Sequence, residues 1–196
     1  MMEKAYFIAD ARREQMMDAT IKTLNEIGYK RVSLSKIAKK AGISTSLISY
    51  HFSGKDDLIQ HTFLYLIQQE FHYIQEKVKS IENRSKQLVA YINASLDYQY
   101  TKPENNIALI EIVFNARNSE NIPYYLLDDD EEDDLLKNLL RDILIKGQMS
   151  GCFSDFHPEI MTVMIQGIIS ESMLSPHKRL DGYKEEIVQN ILKLVQ

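Results

Sequence analysis

With 196 residues, 44% of them apolar and 26% charged, the chain can bury a core as one helical unit or as a small head on a larger body. Its single cysteine, Cys152, excludes an intrachain disulfide framework. No run of about eighteen apolar residues occurs, so no membrane-spanning helix is predicted. The net charge of −5 conceals an asymmetry: residues 1–55 sum to +5 and the remainder to −10. That split is expected when only one end of a molecule meets phosphate.

The opening segment MMEKAYFIADARRE sets Glu3 and Asp10 around a short apolar patch and lacks a signal-peptide pattern, so a cytoplasmic protein is expected. Helical periodicity then runs through the chain without a convincing alternating strand pattern. Met16, Met17, Ile21, Leu24 and Ile27 form the buried stripe of a first helix, stopped by Gly28. Ser33 is placed to cap a second helix with Leu34, Ile37, Ala38 and Ala41 inward. Gly42 supplies a tight turn, Ile43 plugs the core, and Ser44 caps a third helix through Phe52.

Ser53 precedes Asp56 by three, a capping-box variant opening a long fourth helix. Its stripe is Ile59, Phe63, Ile67, Phe71, Ile74, Val78 and Ile81, which implies a rod of about 40 Å. Ser85 opens the next helix, with Leu88, Val89, Ile92 and Leu96 inward. Pro103 suits the first position of another, through about Arg117, whose segment Ile107 to Phe114 is apolar nearly all round. After a loop from Asn118 to Tyr125, Leu135, Leu136, Leu139, Leu140, Ile143 and Leu144 mark a further stripe ending at Gly147 to Gly151. Two last helices are predicted from Pro158 to Leu174 and from about Leu180 to the end.

The stretch Val32 to Leu58 carries the functional signal. Two short helical patterns broken at Ala41-Gly42 have the layout of a helix-turn-helix, in which one helix braces another that enters a DNA major groove. Gly28-Tyr29, Val32-Ser33-Leu34, Ile37-Ala38, Ala41-Gly42-Ile43-Ser44, Tyr50-His51-Phe52 and Lys55-Asp56-Asp57-Leu58 occur in order. On these residues, positions 12–58 resemble the DNA-binding domain of the tetracycline-repressor (TetR) family of bacterial regulators.

The resemblance implies an all-α fold: a three-helix head over residues 1–55 and a larger ligand-sensing and dimerisation body over 56–196. It implies a homodimer, paired through the last two helices, that binds a palindromic operator in double-stranded DNA. Release by a small-molecule effector is expected, and repression is the expected role. By position, Ser33 and Lys36 would hold phosphates from the second helix. Thr45, Ser46 and Ser49 would face base edges or nearby phosphates, Tyr50 and His51 would grip the backbone, and Lys55 would do so from the fourth helix. Two residues depart from the usual pattern: Ser49 stands where many members have an aromatic, and Ser46 where Gly is usual. The recognition helix also lacks Arg, Lys, Asn and Gln, so specificity leans on methyl contacts, DNA shape or neighbouring lysines. The competing reading is a helical protein-interaction module whose caps and turn are merely structural.

Other chemistry finds little support. His61 and His72 are about three turns apart on one helix and cannot share a metal ion. Cys152 reads as a buried thiol more readily than as a redox sensor. The run Asp128 to Asp134 lacks the central Gly and spacing of a calcium loop and reads as a helix entrance. No cofactor, metal or enzymatic constellation is predicted. Glu111, inside IALIEIVFNAR with Asn115 one turn on, is a candidate ligand contact, with Tyr98 and Phe114 as walls. A buried carboxylate must have a partner, so an internal pair or a helix edge at solvent is the alternative.

Overall fold

The computed structural model describes residues 2–126, 134–174 and 182–196. Among them the chain is helical: α1 (Met2–Ile27), α2 (Leu34–Ala41), α3 (Thr45–His51), α4 (Lys55–Val78), α5 (Arg84–Thr101), α6 (Pro103–Asn115), α7 (Leu135–Met149), α8 (Pro158–Leu174) and α9 (Tyr183–Val195). A 3-10 turn at Tyr29–Arg31 links α1 to α2, and another follows α6 at Tyr124–Leu126. The predicted all-α class is the observed one.

Two compact units divide the chain. The first comprises Met1–Gln68 and Lys102–Leu127, the second Gln69–Thr101 and Asp128–Gln196. In the first, Met16, Ile21 and Leu24 of α1 meet Ile37 and Ala38 of α2, Ile48 of α3 and Leu58 and Ile59 of α4 in one buried cluster. Ala108 and Ile112 of α6 belong to the same cluster, so α6 packs with the helix-turn-helix rather than elsewhere. In the second, Ile74, Leu88, Tyr91, Ile92, Leu140, Leu144, Ile165, Ile169, Val188 and Ile191 form a separate core from α4, α5, α7, α8 and α9. Buried aliphatics at helical spacing are what hold both: truncating one such Leu or Ile to Ala costs about 2–5 kcal/mol.

The helix ends follow the sequence with local differences. Ser44 caps α3, its Oγ accepting from Leu47 N–H at 3.2 Å. Ser33 has the extended backbone of an N-cap, but its hydroxyl pairs with Ser35 Oγ at 3.0 Å and caps nothing. At the start of α4 it is Asp57, not Asp56, that reaches back to accept from Ser53 N–H at 2.7 Å. The helix opens at Lys55, which turns Asp57 towards its first turn. α4 ends at Val78, short of Ile81, and α6 at Asn115, short of Arg117. α9 starts at Tyr183; Leu180 lies outside the described residues, as do 128–133 of the acidic run. Asp134 caps α7 by accepting from Lys137 N–H at 3.0 Å.

One expectation is overturned. Cys152 is exposed, not buried. The turn after α7 sends the next residue, Phe153, into the core in its place, where only 6% of it remains exposed. Phe153 lies against Gly147 of α7 so closely that a Cβ there would stand 2.0 Å from its ring.

Candidate nucleic-acid interface

Packing fixes which side of α3 is available. Ile48 is fully buried and Leu47 partly so, leaving Thr45, Ser46 and Ser49 exposed on the opposite side. Gly42, in the left-handed conformation (φ 69°), turns the chain between α2 and α3 and lets its N–H satisfy the last α2 carbonyls. The sequence-predicted contacts on α3 therefore share one solvent face. Tyr50 follows with 83% of its surface exposed, its ring edge-on to His51 at 5.1 Å. An aromatic left this bare on a small domain has nothing within the domain to cover it.

The end of α3 is held by a residue that the sequence reading did not single out. Arg13 of α1 donates from its guanidinium to the His51 carbonyl at 2.9 Å and lies 4.5 Å over the Phe52 ring. A cation at a helix C-terminus satisfies orphan carbonyls and meets the negative end of the dipole. Phe52 is buried, so the contact anchors α3 to α1. Its only sequence signal is a second arginine beside Arg12, which by itself says nothing of direction.

The basic groups on α2 form a second exposed set. Lys36, Lys39 and Lys40 are exposed, together with Arg31 of the preceding turn. They border an open groove of about 520 Å³. Lys40 is paired with Glu26 at 2.6 Å, and Lys36 donates to the Arg31 carbonyl at 2.7 Å. These are exposed contacts that a phosphate can displace at little cost. Lys39 and Lys40 add to the Lys36 named from sequence. Ser33 is half-buried and engaged with Ser35.

Lys55 opens α4 and lies against Tyr29, its Nζ 4.4 Å from the ring centroid and 3.5 Å from the Tyr29 carbonyl. Burial, Asp56 and Tyr124 push the Tyr29 phenol above its ordinary pKa, so the ring stays neutral. The Tyr29 N–H donates to Glu111 Oε2 at 2.8 Å. The carboxylate expected to meet either a ligand or a partner thus has a partner, and it is a backbone amide. Asn115 donates to the Glu111 carbonyl at 2.9 Å. Phe114 is exposed and stacks on Tyr125 at 6.1 Å. Tyr98 lies in the second unit, buried, with its ring 5.5 Å from that of Tyr73.

No group of three or more His, Cys, Asp or Glu placed to hold a metal occurs among the described residues. No helix among them is long and apolar enough to cross a membrane.

Comparison with known proteins places this geometry. The model of the "Bacterial regulatory proteins, tetR family" matches residues 16–62, from α1 into α4. The HTH-type transcriptional regulator BetI of Yersinia pestis is 43% identical over 56 residues, 29% of this chain and 28% of that protein. The match to it thus spans little more than a quarter of its length. BetI of Vibrio parahaemolyticus is 25% identical over 183 residues, 92% of this chain and 89% of that one. Among solved structures, a TetR family transcription regulator from Marinobacter aquaeolei superposes with a TM-score of 0.75 at 18% identity, covering 100% of this chain and 98% of that one. The fatty acid degradation regulator FadR from Bacillus halodurans gives 0.76 at 21% identity, over 93% of each chain. FadR from Bacillus subtilis, solved in complex with stearoyl-CoA, gives 0.72 at 23% identity, over 92% of this chain and 96% of that one. The chain carries the helix-turn-helix head of the tetR family of bacterial regulatory proteins and has the all-helical fold of that family's solved members.

Proposed function

We propose that the protein is a DNA-binding transcriptional regulator, a repressor that holds a palindromic operator as a homodimer and leaves it when a small molecule binds. The observation that carries this reading is the exposed row Thr45, Ser46, Ser49 and Tyr50 on a braced α3, flanked by uncovered lysines on α2. Short hydroxyl side chains let a helix sit deep in a groove, and the surrounding cations take phosphates. Ser33, Lys36, His51 and Lys55 complete the proposed contact set. Lys55 is the informative member, because its ammonium, held by the Tyr29 ring and 3.5 Å from the Tyr29 carbonyl, has further donors for a phosphate. The domain division proposed is a reading head ending near residue 55 and a sensing and dimerising body after it. Beyond residue 55, Leu58 and Ile59 of α4 and Ala108 and Ile112 of α6 pack against the head.

The homodimer is proposed to form through α8 and α9. Ile160, Val163, Met164 and Leu174 leave one side of α8 apolar and exposed, with Leu194 on α9. An apolar helix face of this kind is what a two-fold interface buries. Two heads so joined read half-sites about 34–36 Å apart, or a multiple. Tyr98, Glu111, Phe114 and Asn115 remain the sequence-derived ligand contacts; of these Tyr98 belongs to the second unit, while Glu111 and Asn115 hold partners within the first. FadR from Bacillus subtilis, a structural neighbour, binds an acyl-CoA. That supports a small-molecule effector in general and leaves its class open.

Selection from a random duplex pool tests the reading. The regulator enriches a palindrome, and Thr45→Ala or Ser46→Ala changes which palindrome is preferred. Lys55→Ala lowers affinity for all duplexes alike and reduces the slope of log affinity against log salt by about 1. A pool that shows no enrichment and no salt-sensitive binding returns the chain to the class of protein-interaction modules.

A further inference from the structure

A helix leaves its last carbonyls without partners of its own. At the end of α2 the Gly42 N–H takes the Ala38 and Lys39 carbonyls, and at the end of α3 the Phe52 N–H takes that of Ile48. The final carbonyl of each helix goes instead to a side chain of α1. Gln15 donates from Nε2 to the Ala41 carbonyl at 3.0 Å, and Arg13 donates to the His51 carbonyl at 2.9 Å. α1 therefore grips the C-terminal ends of both α2 and α3, through residues two apart in sequence.

Each grip is backed. Arg12 donates to Gln15 Oε1 at 2.7 Å, which leaves the Gln15 amide NH2 for α2. The Arg13 guanidinium lies 4.5 Å over the Phe52 ring, and that ring meets His61 of α4 at 5.4 Å. Arg13 thus stands where α1, α3 and α4 come together. It also precedes the buried Met16 and Met17 by one turn, so the core holds its own backbone. α3 has only seven residues, a rod of about 10 Å, and a hold on its end sets the direction of the whole.

Direction matters here because the exposed row of α3 has little reach. Thr45, Ser46 and Ser49 carry their hydroxyls directly on Cβ and cannot follow a base edge from which the helix has moved. Hydrogen bonds weaken beyond about 3.2 Å, and a functional constellation tolerates roughly 0.5 Å of misplacement.

We propose that Arg13 and Gln15 are positioning residues for sequence discrimination. By clamping the C-termini of α3 and α2 to α1, they fix how the exposed row of α3 meets base edges, without touching DNA themselves. This rests on the reading of α3 as the DNA-reading helix and assigns the source of its precision. The guanidinium of Arg13 is engaged by a backbone carbonyl and a buried ring, which sets it apart from the phosphate-holding cations.

Selection from a random duplex pool, followed by affinity titrations over a range of salt, tests the clamp on the full-length protein. Arg13→Met and Gln15→Met keep an unbranched side chain and remove the donor. Each is expected to bind the selected palindrome at least about fivefold more weakly and to accept a broader set of bases. Affinity for a scrambled duplex and the salt slope are expected to stay as in the wild type. Arg13→Lys, which retains a donor, is expected to recover most of the discrimination. Ile21→Val loosens the same core without touching either carbonyl, and its base preference is expected to match the wild type. Circular dichroism checks that each protein is folded, and Gln15→Met carries the test where Arg13→Met is not.

An unchanged base preference in the folded methionine variants overturns the clamp. So does a salt slope reduced by about 1 in Arg13→Met, which makes Arg13 a phosphate contact. An equally broadened preference in Ile21→Val overturns it too, since any loosening would then suffice. A wild type that enriches no palindrome refutes the regulator reading and the clamp together. An enriched palindrome read identically by the variants refutes the clamp alone.

Discussion

Glu70 and Glu111 are both carboxylates set among apolar helical neighbours, and their surroundings separate them. Glu111 accepts from a backbone N–H at the Gly28-Tyr29 turn, a charge-assisted bond of about 1.5–3 kcal/mol. Glu70 is buried, and that burial raises its pKa to about 7. A carboxylate with a raised folded pKa binds protons more tightly when folded, so it adds stability at low pH and that stability disappears as pH rises towards and past 7. Glu70→Gln is therefore expected to lose stability less between about pH 5 and 8 than the wild type does, the difference approaching roughly 3 kcal/mol at the alkaline end. Urea denaturation at a series of pH values measures it; parallel curves would show that Glu70 is not titrating there. In the sequence Glu111 is the conspicuous acid, because it interrupts IALIEIVF. Glu70, in QQEF, sits among polar letters, and only the packing of other helices onto α4 makes it interior.

At the level of helices, periodicity makes most of the order and type legible, because apolar stripes at three- and four-residue spacing bury together only when the chain is helical. What escapes it is side-chain direction at helix ends. Ser33 and Ser44 are the same residue in equivalent positions, yet only Ser44 bonds to its helix. Ser33 is drawn off by Ser35, two residues on, and no rule of spacing announces that. Ser44→Ala is expected to cost about 1 kcal/mol in thermal or urea unfolding and Ser33→Ala a few tenths at most. Equal losses would mean that the hydroxyl of Ser33 turns to cap α2 in solution. Arg13 is similarly hidden, since its target, the carbonyl of His51, lies 38 residues away and is backbone. The exposed face of α3 is legible because Leu47, Ile48 and Phe52 declare the opposite one.

For the molecule as a whole, the separation of charge is the feature sequence reveals best: a +5 opening segment and a −10 remainder need no coordinates. Assembly is less legible, since an apolar residue in a helix fits either a core or an interface. The structure sorts them, burying Met161, Ile165 and Ile169 of α8 while leaving Ile160, Val163 and Met164 out. Val163→Glu is expected to leave the fold intact and shift the protein towards monomer in sedimentation, with operator affinity falling in step. A monomeric wild type, or a variant that dimerises normally, removes α8 from the interface.

Tyr29 is claimed from two directions at once: α6 holds its amide through Glu111, while its ring and carbonyl cradle the ammonium of Lys55. On the proposed reading, in which Lys55 holds a phosphate, a disturbance of α6 would reach that lysine through Tyr29 without reshaping the exposed face of α3. Induction passing by this route would loosen grip and keep taste. Operator variants would retain their rank order in the presence of effector, while the dependence of binding on ionic strength becomes shallower.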